Sequence, residues 1–147
     1  DNAHDVELNW EQIKLKEKGG NHTALAGVPK ALPALVKSFR IQEKAANVGF
    51  DWEKIEQVWD KVDEETSEVN GTQDNIEGEF GDLMFAIINA ARLYKVNPEN
   101  ALERTNRKFI ARFNHIEQRA HELGTPLKDM TLAQMDALWN EAKAKGL

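Results

Sequence analysis

Residues 79–93, EFGDLMFAIINAARL, decide how the chain folds. Positions three or four apart share one face of a helix, and here Glu79, Asp82, Leu83, Ala86, Ala90 and Leu93 fall on a single stripe. Two carboxylates thus extend an apolar surface. Like charges held beside a core raise one another's pKa and resist desolvation unless something offsets them. A hard divalent cation does so. Carboxylates with few nitrogen or sulfur ligands suit magnesium, manganese or calcium rather than zinc or copper.

A second acidic cluster stands just upstream, Glu64-Glu65-x-x-Glu68, and the same helical arithmetic points Glu64 and Glu65 toward the side occupied by Glu68. An isolated Glu-x-x-Asp is usually solvated surface. Two clusters change that expectation. Residues 51–82 hold twelve Asp or Glu against two Lys, a local balance of −10 in a chain whose net charge is −6, so the remainder carries +4. This sign split points to a cation site facing a basic wall.

With 147 residues, the chain is long enough for one domain with a sizeable core and short for two. Apolar content of 41% beside 30% charged residues fits a globular protein. The absence of cysteine excludes disulfides, thiolate metal sites and cysteine nucleophiles, and is compatible with the cytoplasm. No run of about eighteen apolar residues is present, so no membrane span is expected. An acidic pI without a dense Lys/Arg stripe argues against duplex nucleic acid as a partner. A free nucleotide, which needs only a cation and a few positive groups, remains.

Helical periodicity organises the rest. Asn9 to Lys18 reads as a short amphipathic helix, and residues 19–29 as loop. Pro29 and Pro33 stand at the entrance of a helix from about Ala31 to Val48, with Gly49 as its C-terminal cap. Asp51 is placed to cap the next, Trp52 to about Val69. The third, Ile76 to Tyr94, is apolar on nearly every side and is expected to be the most buried element. A fourth follows Asn97-Pro98 and runs to about Leu123, and a Thr131 cap opens a last short helix. No β-branched alternation appears, so the fold class is all-α: a bundle of four longer helices plus short terminal ones. A helix apolar all round needs more cover than three neighbours give, which favours a dimer.

The Glu-x-x-His pairs of di-iron bundles are missing, because none of His4, His22, His115 and His121 has a Glu three residues before it. Nor is there an HExxH, an EF-hand loop or a phosphate-binding G-x-x-x-x-G-K-S/T. By residue type alone, Lys108 and Arg112 are helix-surface charges facing Glu103 or Glu117, while Phe109, Phe113 and the tryptophans Trp10, Trp52 and Trp59 are packing groups.

The combined pattern Glu64-Glu65-x-x-Glu68 and Glu79-x-x-Asp82 resembles the signature of the MazG-type nucleoside triphosphate pyrophosphohydrolases. The likeness extends over GVPKALPALVKSFRIQEKAANVGFDW (27–52), Lys61-Val62, EFGDLMF (79–85), NRKFIARF (106–113) and MDALWNEAK (135–143). It implies an all-α homodimer that hydrolyses a nucleoside triphosphate to monophosphate and pyrophosphate with magnesium, or manganese in its place. Residues 1–30 then correspond to a helix and inter-domain linker remnant, and 31–147 to the catalytic domain, the second of a tandem pair. By the same resemblance Glu65, Glu68, Glu79 and Asp82 are the metal ligands. Glu64 is a carboxylate that orients or deprotonates water beside Glu65, and Lys61 is the basic residue of that catalytic group. Lys108 and Arg112 meet the triphosphate, and Trp139 lies at the nucleotide end. Two other readings share these residues: a related pyrophosphohydrolase restricted to pyrimidine deoxynucleotides, and a non-catalytic helical dimerisation or nucleotide-binding module. Only ten residues separate Glu68 from Glu79, at or below the short end of the family spacing, so the closure of that hairpin decides whether the clusters meet.

Overall fold

A computed structural model describes residues 3, 5–7, 9–10 and 23–147. Among them every regular element is helical: α1 (Ala34–Asn47), α2 (Ile55–Gly71), α3 (Ile76–Leu93), α4 (Pro98–Leu123), a 3-10 turn (Leu127–Asp129) and α5 (Leu132–Ala144). The all-α expectation holds. The described residues before position 11 are also helical, while residues 11–18 of the helix expected over Asn9 to Lys18 lie outside the described part. The chain divides into two compact units, Asp1–Glu99 and Asn100–Leu147.

In the first unit α3 packs chiefly on α2 and also on α1. Pro33 sits at the N-cap of α1, where its missing N–H costs no helical bond. The α2 start lies three residues later than expected. Asp51 does not cap it: its carboxylate accepts from the Trp52 backbone N–H at 2.8 Å and pairs with Arg92. The first turn of α2 is instead closed by Gln57, whose Oε1 accepts from the backbone N–H groups of Glu53 and Lys54, both at 3.0 Å. Val58, Ala46, Ala86, Ile88 and Ala90 form the core of this unit.

The α3 helix is less covered than its composition suggests. It buries Ala86, Ile88 and Ala90, but Phe80, Met84 and Ile87 are about half exposed, at 50%, 54% and 50%. These three lie at i, i+4 and i+7 and so share one face. The described neighbours cover the other side, and a helix apolar all round cannot be satisfied from one side.

In the second unit Ile116 and Ala120 of α4 and Leu138 and Ala142 of α5 are buried. A polar clasp joins the same two helices: Glu141 Oε1 takes His115 Nε2 at 2.8 Å and Arg119 Nε at 3.0 Å, and Arg119 also reaches Glu122. The His115 bond, then the Arg119 charge, holds the Glu141 carboxyl below the usual range. Thr131 caps α5 as expected, its Oγ1 accepting from Gln134 N while Gln134 Oε1 accepts from Thr131 N.

Four helix ends close in the same way. In each, one residue with positive φ lets two N–H groups turn back onto the last carbonyls. At α1 these are Gly49 to Ala46 O and Phe50 to Ala45 O; at α4, Gly124 to His121 O and Thr125 to Ala120 O; at α5, Gly146 to Lys143 O and Leu147 to Ala142 O. At α3 the positive-φ residue is Lys95, with φ of 62°. A side chain there is strained by contact of its Cβ with the following carbonyl. Lys95→Gly is therefore expected to raise the unfolding free energy by about 0.5–1 kcal/mol, the relief of strain exceeding glycine's extra unfolded-state entropy. Urea melts of the two proteins measure this, and an unchanged or lower midpoint contradicts it.

Candidate active site

The loop between α2 and α3 is short, residues 72–75, and the Thr72 N–H still reaches Glu68 O at 3.1 Å. The tight spacing therefore closes a hairpin and keeps the two acidic clusters in register. Glu65 from α2 meets Glu79 and Asp82 from the opening turns of α3, with one carboxylate oxygen of each within 4.8 Å of the others. The start of a helix tolerates such charge, because its free N–H groups carry partial positive charge.

Glu65 is buried, Glu79 half-buried and Asp82 exposed. Glu68, exposed one turn along α2, lies outside this set of three but acts on it. Partial burial first, then the charges of Glu68, Asp82 and Glu65, push the Glu79 carboxyl above the usual carboxylate value. Opposing this repulsion is Lys61, whose Nζ lies 2.9 Å from Glu65 Oε1 and 2.9 Å from Glu64 Oε2. Those two bonds, that to Glu65 first, raise the Lys61 ammonium above its ordinary value and keep it charged. Lys61 occupies one oxygen of Glu65, and each carboxylate has further lone pairs to offer.

The donor set fits a hard divalent cation. All ligand atoms are oxygen, and the three lie within 4.8 Å of one another, a span that side-chain movement can close around a cation that takes oxygens at about 2.0–2.1 Å. The cluster can hold a metal.

A cavity of about 650 Å³ lies beside the cluster within the first unit. Lys61, Glu65 and Asp82 line it together with apolar groups, among them Ile41, Val58 and Ala86, and the rings of Phe50 and Trp52. Gln42, Asn89, Asp51 and Arg92 supply its remaining polar groups. The Arg92 guanidinium forks onto Asp51 at 2.5 and 3.3 Å.

Residues 52–117 match the family described as MazG nucleotide pyrophosphohydrolase domain. This stretch is a MazG domain. It contains the whole acidic cluster and Lys61, together with Lys108 and Arg112. Among curated proteins, the nucleoside triphosphate pyrophosphohydrolase/pyrophosphatase MazG of Thermotoga maritima is 40% identical over 137 residues, 91% of this chain and 54% of its own length. The nucleoside triphosphate pyrophosphohydrolase of Escherichia coli K12 is 38% identical over 152 residues, 97% of this chain and 58% of its own. An uncharacterized protein of Bacillus subtilis, YabN, is 50% identical over 147 residues, covering 95% of this chain and 30% of its own. The chain thus spans just over half the length of the first two relatives.

The other expected site residues belong to the second unit. Lys108 is exposed on α4. One turn on, Arg112 places its guanidinium 5.1 Å from the centre of the Trp139 ring, a cation–π contact, and its Nε donates to Leu147 O at 2.9 Å. Phe109, expected in the core, is 54% exposed; it stacks on Phe113 and tilts against Trp139 at 5.4 Å. Of the tryptophans read as packing groups, Trp52 lines the cavity of the first unit, and Trp59, partly exposed, donates to Tyr94 OH at 2.9 Å. Gln42 and Asn89 went unnoticed in the sequence. The signal for Gln42 was a lone amide between Ile41 and Ala45 on a helix otherwise apolar on that side.

Repulsion inside the cluster predicts a reciprocal effect of one substitution. The folded chain binds the Glu79 proton more tightly than the unfolded chain, so this stabilisation is full below the unfolded carboxylate value and is lost as pH rises through the higher folded value. At neutral pH without metal, Glu79→Gln is expected to raise Tm. Magnesium at a hundred times its Kd should stabilise the wild type by about 2.7 kcal/mol, an increment that Glu79→Gln largely loses. Thermal melts with and without magnesium report both. A lower metal-free Tm, or an undiminished magnesium increment, contradicts the cluster's role.

Proposed function

We propose that the chain catalyses magnesium-dependent hydrolysis of nucleoside triphosphates to monophosphate and pyrophosphate, as a homodimer acting on free nucleotides in the cytoplasm. The gathering of Glu65, Glu79 and Asp82 within 4.8 Å beside Lys61, inside a MazG domain, carries this reading. The Thermotoga and Escherichia coli relatives are named as nucleoside triphosphate pyrophosphohydrolases, which supports it. Residues 31–147 form the catalytic part on this reading. The absence of cysteine, and of any described helix long and apolar enough to cross a membrane, accords with the proposed setting.

In the reaction, the oxygen of a water bonds to the α-phosphorus and stays on the monophosphate, the bond from that phosphorus to the α–β bridging oxygen breaks, and pyrophosphate departs with the bridging oxygen. Glu65, Glu68, Glu79 and Asp82 would hold magnesium, which when bound would supply charge neutralisation on the phosphates and a lowered pKa for the attacking water. Glu64, exposed and 2.9 Å from Lys61 Nζ, is positioned as the carboxylate that orients the water and takes its proton. Lys61 fixes Glu64 and Glu65 relative to one another. Lys108 and Arg112 neutralise charge on the departing pyrophosphate, a task for which the planar guanidinium is suited. Trp139, stacked under Arg112, borders the nucleotide.

Homodimer formation accounts for the exposed stripe of Phe80, Met84 and Ile87 on α3. Covering it is expected to hold two copies together, so Ile87→Glu should shift the protein toward monomer in analytical ultracentrifugation. An unchanged sedimentation coefficient would place the interface elsewhere.

Activity is tested by following pyrophosphate release from a panel of triphosphates with magnesium. Glu68→Ala and Asp82→Ala are each expected to lower kcat at least about 100-fold, the scale seen when charge stabilisation is removed from a reaction centre. No turnover by the wild type, or turnover unaffected by both substitutions, would sink the enzyme reading. Monophosphate formed from dUTP or dCTP alone would narrow it to pyrimidine deoxynucleotides.

A further inference from the structure

Lys61 and a divalent cation draw on the same carboxylate. Lys61 stands one helical turn before Glu65 on α2, with its Nζ 2.9 Å from Glu65 Oε1 and 2.9 Å from Glu64 Oε2. Glu65 is also the buried member of the set it forms with Glu79 and Asp82, whose oxygens lie within 4.8 Å of one another. The Glu65 side chain is 10% exposed against 41% for Lys61, so water screens Glu65 little. One carboxylate thus faces an ammonium on one side and the cluster on the other.

Charge decides what this sharing does. Lys61 is tethered one turn away, so it acts on Glu65 as an intramolecular ligand with the high effective concentration that such linkage confers. It opposes a second cation twice over, holding lone pairs that coordination would use and repelling a like charge a few ångströms off. Binding free energies are reciprocal, so whatever the Lys61–Glu65 contact takes from the affinity for a cation, the cation takes from the contact. An anionic group arriving with the cation changes the balance, because phosphate oxygens give the ammonium a new partner. Lys61 lines the cavity beside the cluster, where such a group can reach it.

We infer that Lys61 is a built-in counter-ion that lowers the cluster's affinity for a free divalent cation and favours a cation already carried on a phosphate chain. The inference rests on the reading of Glu65, Glu79 and Asp82 as cation ligands, and adds to it a preference for the cation–polyphosphate complex over the bare ion. A purely orienting role for Lys61, holding Glu65 in its ligating position, has the opposite consequence for the bare ion, since loss of an orienting group weakens binding.

Two binding measurements on the full chain test this. Melting temperature followed against magnesium chloride concentration gives Kd for the free ion. Calorimetric titration with the magnesium complex of a triphosphate bearing methylene at the α–β bridge gives Kd for the carried ion. In Lys61→Met the free-ion Kd is expected to fall about tenfold and the complex Kd to rise about tenfold, within the usual span of coupling between sites. The magnesium-free Tm of this variant is expected to drop, because repulsion in the cluster is less offset. Lys61→Arg keeps the charge, and its free-ion Kd is expected within about threefold of wild type. A disturbed fold weakens both kinds of binding and so does not reproduce the opposite signs. An equal or larger free-ion Kd in Lys61→Met overturns the inference, as does a complex Kd that is unchanged or smaller. Tightening in Lys61→Arg equal to that in Lys61→Met also overturns it. Opposite signs without pyrophosphate release by the wild type uphold the counter-ion while the hydrolase reading fails. Pyrophosphate release with a free-ion Kd indifferent to Lys61 does the reverse.

Discussion

The mutual repulsion of carboxylates at the closed end of the α2–α3 hairpin is the constraint on which the first unit turns. Packing of the two helices over Val58, Ala86 and Ala90 brings Glu65 face to face with Glu79 and Asp82, and Glu68 adds its field from one turn away. Lys61 offsets part of this charge from within α2, leaving Glu79 with a raised proton affinity. A folded chain does not hold such an arrangement for its own stability. An oxygen-only cluster of this span has the donor set that suits a hard cation.

The rest of that unit places an apolar chamber against the charged end. Its cavity is lined by Lys61, Glu65 and Asp82 and by the Asp51–Arg92 pair as well as by apolar groups, with aromatic surface at Trp52. In the second unit, the Arg112 and Trp139 stack and the His115–Glu141–Arg119 clasp tie α4 to α5.

Much of this was legible in advance. Helical periodicity and the proline and glycine punctuation gave the order of the helices, with ends within about three residues. The capping roles of Gly49 and Thr131 followed from their chemistry, since each acts on atoms a few residues away. Asp51 illustrates the limit: its proposed local role as a cap lost to a long-range partner, Arg92, 41 residues further on. The left-handed Lys95 was invisible for a related reason, because glycine marks that conformation and lysine does not.

The sequence by itself determined an all-α chain with two acidic clusters on consecutive helices, because a helix fixes which residues share a face regardless of its neighbours. Only the tertiary structure decided which faces are covered. Phe80, Met84, Ile87 and Phe109 are as apolar as any core residue, yet they remain substantially exposed. Gln42 is polar, yet it is buried with its oxygen unpaired. It was also the closure of a four-residue turn that brought Glu65 to Glu79 and Asp82. Burial and ligand distance depend on contacts between helices, and periodicity within one helix carries no record of them.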